Sequence, residues 1–121
     1  MLLRTSSRIY GKALILDCNG RIVFGEETAL LRKQVNELLQ QTRQVVLNLS
    51  NVSFIDSSGV GELVRLLTSA RREQKTIVLA GLTGRVRDVL QITKLATVFA
   101  TYSSAVEAAE ALSAEAAGAA G

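Results

Sequence analysis

Short apolar runs alternate along this chain with longer segments whose apolar residues recur every three or four positions, and that alternation admits few architectures. Val45-Val46-Leu47-Asn48-Leu49 and Thr76-Ile77-Val78-Leu79-Ala80 are short and rich in aliphatic residues, as strands buried on both faces of a parallel sheet are. Helical stripes surround them. Leu31, Val35, Leu38 and Leu39 form one within residues 25–42, and Val60, Leu63, Val64 and Leu67 form a second that runs to Arg72. Val86, Val89, Leu90 and Thr93 mark a third, and Ala105, Val106, Ala109 and Leu112 a fourth. Val98-Phe99-Ala100 reads as a last short strand. Near the N-terminus, Arg8-Ile9-Tyr10 and Ala13-Leu14-Ile15-Leu16 flank Gly11-Lys12, which reads as a hairpin with an antiparallel edge. The expected fold is α/β: a mixed, mostly parallel sheet of about four to five strands, covered by about four helices through right-handed crossovers.

A chain of 121 residues buries one sizeable core but not two. We therefore expect one domain over residues 1–114, followed by a flexible Ala/Gly-rich tail over 115–121 that has too little bulk to pack. The longest apolar runs fall far short of the roughly 20 residues that span a bilayer, and the first residues lack the apolar stretch of a secretory signal. A cytoplasmic protein with no membrane insertion is expected. Cys18 is the single cysteine and the chain has no histidine, so neither an internal disulfide nor the usual zinc ligands are available, and no cofactor or metal is expected. Cys18 reads as a small strand residue. With 14 basic against 11 acidic residues and only 4% aromatics, the chain lacks the charge clusters and stacking platforms of nucleic-acid binders.

Chemistry concentrates in Asn48-Leu49-Ser50-Asn51-Val52-Ser53-Phe54-Ile55-Asp56-Ser57-Ser58-Gly59-Val60-Gly61, which reads as the end of a strand, a polar loop and the start of a helix. Asp56 and Ser57 are both good N-cap residues, so the cap lies at one or the other. Either way a serine hydroxyl stands beside unpaired N–H groups and the positive end of a helix dipole, where a phosphate is tolerated. Gly59 and Gly61 remove bulk from the first turn and suggest close approach by a partner. On spacing alone, these residues need be no more than a helix cap. Serine catalysis is not expected, because a serine nucleophile needs a base and the chain has neither histidine nor a Ser-x-x-Lys pattern. No phosphate-binding Gly-rich loop ending in Gly-Lys-Ser/Thr occurs either.

These residues resemble the STAS domain, and within it the bacterial anti-sigma-factor antagonists. The match is strongest at Val45-Val46-Leu47-Asn48-Leu49 and Phe54-Ile55-Asp56-Ser57-Ser58-Gly59-Val60-Gly61, where Asp-Ser-Ser-Gly stands in the place of the family's phosphorylation motif. It continues more weakly through Leu79-Ala80-Gly81, Val86-Arg87-Asp88-Val89-Leu90 and Ala105-Val106. The resemblance implies that Ser57 is phosphorylated by an anti-sigma factor that is also a serine kinase. It implies that Asp56, Ser57, Ser58, Gly59 and Gly61 form the partner-binding surface, and that a phosphatase resets Ser57. It also implies a non-enzyme whose unphosphorylated form frees a sigma factor for transcription. Two segments depart from the family pattern: Val23-Phe24-Gly25 stands where many members carry an acidic residue, and Thr93-Lys94-Leu95 where a Gly-Leu pair is common. Three other readings stay open at this level. The domain could be a phosphorylation-independent scaffold in a signalling or lipid-transport complex. It could pair as a homodimer. Arg65, Arg71, Arg72, Lys75, Arg85 and Arg87 could gather into an anion-binding patch.

Overall fold

The protein is described here from a computed structural model covering residues 1–95 and 97–120, with side chains to residue 115. Nine elements follow in order: β1 (Leu3–Tyr10), β2 (Ala13–Ile22), α1 (Glu26–Leu39), β3 (Gln44–Ile55), α2 (Ser57–Arg72), β4 (Thr76–Ala80), α3 (Gly84–Ile92), β5 (Thr101–Tyr102) and α4 (Ala105–Ala120). The sheet runs β1-β2-β3-β4-β5, antiparallel between the first two strands and parallel thereafter. The N-terminal hairpin closes as its sequence suggests, with Gly11 at φ 62° making the turn.

Both faces of the sheet are covered, which explains the continuous apolar runs of its central strands. On one face Leu16, Val45, Leu47, Leu49, Ile77 and Leu79 pack beneath α1, α2 and α3. Ile15, Val46, Val78 and Ala80 point the other way, beneath Ala105, Ala108, Ala109 and Leu112 of α4. Small residues on α4 let that helix lie close to the sheet. Cys18 is buried in the larger cluster, and burial with the neighbouring Asp17 charge pushes its thiol up to about 12, so it stays protonated and serves as packing.

Three sequence expectations change. The stretch from Ser50 to Ile55 is not a loop: β3 continues to Ile55, pairing Val52 with Gly20 and Ile55 with Ile22. Its pairing with β4 ends at Asn48 and Ala80, so this half of β3 bonds to β2 alone. Polar residues are tolerated on its open side while Val52 and Ile55 still face the core. The last strand is Thr101–Tyr102 and not Val98-Phe99-Ala100, because Phe99 turns into the core below the helices and leaves only the following residues in line with β4. The first helix ends at Leu39, short of Thr42, whose hydroxyl bonds back to the Lys12 carbonyl. In addition, the backbone of α4 stays helical to Ala120, past residue 114. Among the described residues, no helix is long and apolar enough to cross a membrane.

Candidate functional site

The overhanging half of β3 delivers Asp56 directly into α2. Asp56 is the N-cap: its Oδ1 accepts from the Gly59 N–H at 2.7 Å and its backbone is extended, at φ −96° and ψ 179°. The choice between Asp56 and Ser57 is thereby resolved. The second carboxylate oxygen, Oδ2, accepts from the Phe24 N–H at 3.0 Å, in the loop between β2 and α1. The Asp56 N–H in turn donates to the Ile22 carbonyl. One aspartate therefore fixes a helix start and ties it to the adjacent loop.

Gly59 is held just as firmly. It is buried, and a Cβ there would lie 2.4 Å from the Ile22 carbonyl oxygen and 2.7 Å from Ile55 Cγ1. Its missing side chain lets α2 seat on the ends of β2 and β3. Gly59 is therefore a packing residue beneath the first turn of α2. Ser57, the first helical residue, is exposed; Ser58 is half-buried; and a Cβ on Gly61 would meet no atom within 4 Å. Of the five residues singled out by the sequence, Ser57, Ser58 and Gly61 share one groove, Asp56 frames it and Gly59 lies beneath it.

This groove, of about 360 Å³, runs between α1 and α2, with Phe24, Thr28, Arg32 and Arg65 completing it. Phe24 is 79% exposed even though its amide is bound by Asp56. The floor holds an ion pair that sequence reasoning missed. Glu62 is 2% exposed and accepts from Arg32 Nη2 at 2.6 Å and Nε at 3.2 Å. A buried carboxylate requires such a partner. Thirty positions separate the two residues, and each lies on its own helix, so no local spacing announces the pair. The basic residues considered as one patch are dispersed: Arg71 caps the Val98 carbonyl, Lys75 the Leu39 carbonyl, and Arg85, like Arg21, lies over the Phe54 ring. Only Arg65 enters the groove. No group of three or more metal-ligating side chains converges among the described residues.

A mixed five-stranded sheet with three helices on one face, one on the other, and a serine exposed where a helix leaves the central strand defines a small α/β domain of the STAS type. The chain belongs to this family: the STAS domain matches residues 4–108. Among solved structures it is similar to the Thermotoga maritima protein TM1081, with a TM-score of 0.79 and 27% identity over 88% of this chain and 92% of that one. It shares the fold of the anti-sigma factor antagonist SpoIIAA in its unphosphorylated form, with a TM-score of 0.76 and 18% identity over 92% and 97%. Among curated proteins, the anti-sigma-B factor antagonist of Staphylococcus aureus is 35% identical over 54 residues, 45% of this chain and 50% of that protein. The chain thus spans about half the length of that relative.

Proposed function

We propose that this chain is a non-catalytic anti-sigma-factor antagonist that works in the cytoplasm. Unmodified, it binds an anti-sigma factor that is also a serine kinase, and so frees a sigma factor for transcription. Phosphorylation of Ser57 releases the partner, and a phosphatase restores the binding form. The observation that carries this reading is the exposed Ser57 hydroxyl on a fixed frame, with Asp56 held in two backbone hydrogen bonds and Gly59 in the core. In the modifying step the Ser57 oxygen gains a bond to the γ-phosphorus of ATP, its proton passes to a base on the kinase, and ADP departs. This chain contributes the hydroxyl and the surface. The kinase contributes the base, the nucleotide and the metal.

The surface around Ser57 offers a partner an aromatic anchor, Phe24, beside an open first turn at Gly61, while charge sits at the edge in Arg65. A phosphate brings about −1.5 to −2 charges into the middle of that surface. A partner whose matching face is built for a neutral hydroxyl is then opposed by an unmatched, hydrated dianion. The test incubates the protein with candidate anti-sigma kinases and ATP, maps phosphate by mass spectrometry, and compares partner binding by wild type, Ser57→Ala and Ser57→Asp. Phosphate on Ser57, with binding kept by the alanine variant and lost by the aspartate variant, is the expected result. An unmodified Ser57 with equal binding by all three makes the domain a constitutive scaffold.

A further inference from the structure

We propose, resting on the phosphorylation of Ser57 set out above, that the groove between α1 and α2 is a phosphate-receiving site in which Arg65, seconded by Arg32, holds the Ser57 phosphate. Ser57, Gly61 and Arg65 stand at successive four-residue steps along α2 and line the same groove. Residues at such spacing lie in a row on one side of a helix, and eight residues advance about 12 Å. Helical side chains lean toward the N-terminus, so Arg65 leans toward Ser57 while Ser57 leans away, and it is the length of an extended arginine together with that of the phosphoseryl group that spans the gap. The residue between them is the glycine whose Cβ position faces open space, which leaves no side chain in the path.

Charge in the groove is arranged for this. Glu62 would repel a phosphate, but Arg32 already neutralises it through Nε and Nη2. The Nη1 edge of Arg32 makes no hydrogen bond among the described residues, and Arg65 pairs with no carboxylate among them. Arg32, Glu62 and Arg65 together leave one positive charge in the groove, on Arg65, opposed at the helix start by the Asp56 carboxylate, whose two oxygens are already taken by the Gly59 and Phe24 N–H groups. A phosphoserine dianion carries three acceptor oxygens suited to guanidinium donors. The phosphate would then lie over Gly61, across the face a partner must approach.

The test uses the full chain with phosphoserine encoded at position 57 during translation, so that no kinase is needed, and follows the second phosphate ionisation by ³¹P NMR. The expected value falls about half a pH unit below the ~6 of a free phosphoserine, the size of an exposed ion pair. Arg65→Gln and Gly61→Leu should each bring it back toward ~6, while Arg72→Gln on the same helix should leave it lowered. An ordinary value in the unmutated chain, or a lowered one that ignores Arg65→Gln, overturns the proposal, the second because it assigns the effect to the helix dipole alone. Partner binding, measured separately on the same phosphoprotein, tests the switch: retention of the partner despite a lowered ionisation defeats that reading and leaves the groove assignment standing.

Discussion

Single residues around the cap separate cleanly into those that build the site and those that present it. Gly59→Ala must push a methyl group into the Ile22 carbonyl and Ile55, and should cost about 1–3 kcal/mol in urea denaturation, as overpacking does. Gly61→Ala meets no atom and removes a poor helix former, so it should stabilise by about 0.5–1 kcal/mol while obstructing the surface beside Ser57. The two substitutions thus have opposite signs two residues apart. Phe24→Ala should leave the unfolding midpoint nearly unchanged, since the ring is exposed, but weaken partner binding at least tenfold by calorimetry if Phe24 is an anchor. Lys94 completes the set. It holds φ 60° just past α3, with the Leu95 N–H reaching back to the Leu90 carbonyl, a helix ending that favours glycine. The departure from the family's Gly-Leu pair therefore costs backbone strain, and Lys94→Gly should gain about 0.5–1 kcal/mol in the same denaturation measurement.

Elements were legible wherever their residues follow one period. The hairpin turn, the cores of α1, α2 and α3, and the buried halves of β3 and β4 all announce themselves through spacing or turn chemistry. Sequence reasoning failed where one element has two environments. Strand β3 is buried on both faces up to Leu49, then loses β4 as a neighbour, so its apolar run stops although its backbone does not. Phe99 was misplaced because a large apolar residue in a loop imitates a strand. Within the site, Asp56 and Ser57 are visible as capping chemistry, whereas the Arg32–Glu62 pair exists only once α1 lies against α2. A polar cluster across three strands shows the same dependence on assembly. Burial raises the Asp17 carboxyl, but hydrogen bonds from Arg8 on β1 and Asn48 on β3, with the Arg8 charge, outweigh it and hold the group below its usual range. A lowered folded value contributes stability above the unfolded pKa of about 3.9 and loses it as pH falls through the folded one. The stability gap between wild type and Asp17→Asn should therefore be full near neutrality and close as the pH falls below about 4, followed by urea midpoints at each pH.

On the scale of the whole molecule, α4 is the one helix that covers the second face of the sheet among the described residues, through a seam of alanines ending at Leu112. Leu112→Ala should cost about 2–5 kcal/mol by thermal or chemical unfolding, because Leu112 is fully buried and is the largest side chain α4 sets on that face among the described residues. A chain ending at residue 114 keeps this seam intact, and we expect it to unfold at the same denaturant concentration as the full chain. The order of the sheet adds something of a different kind. Each strand pairs with the one before it in sequence, β1-β2-β3-β4-β5. No strand has to wait for a later one to be inserted between two already joined. As the chain leaves the ribosome, the hairpin is complete at Ile22 and each further strand docks onto an edge that is already waiting. Pairing therefore advances in one direction: β1 stays the fixed outer edge, and the opposite, growing edge is the one that the next strand of the same chain covers.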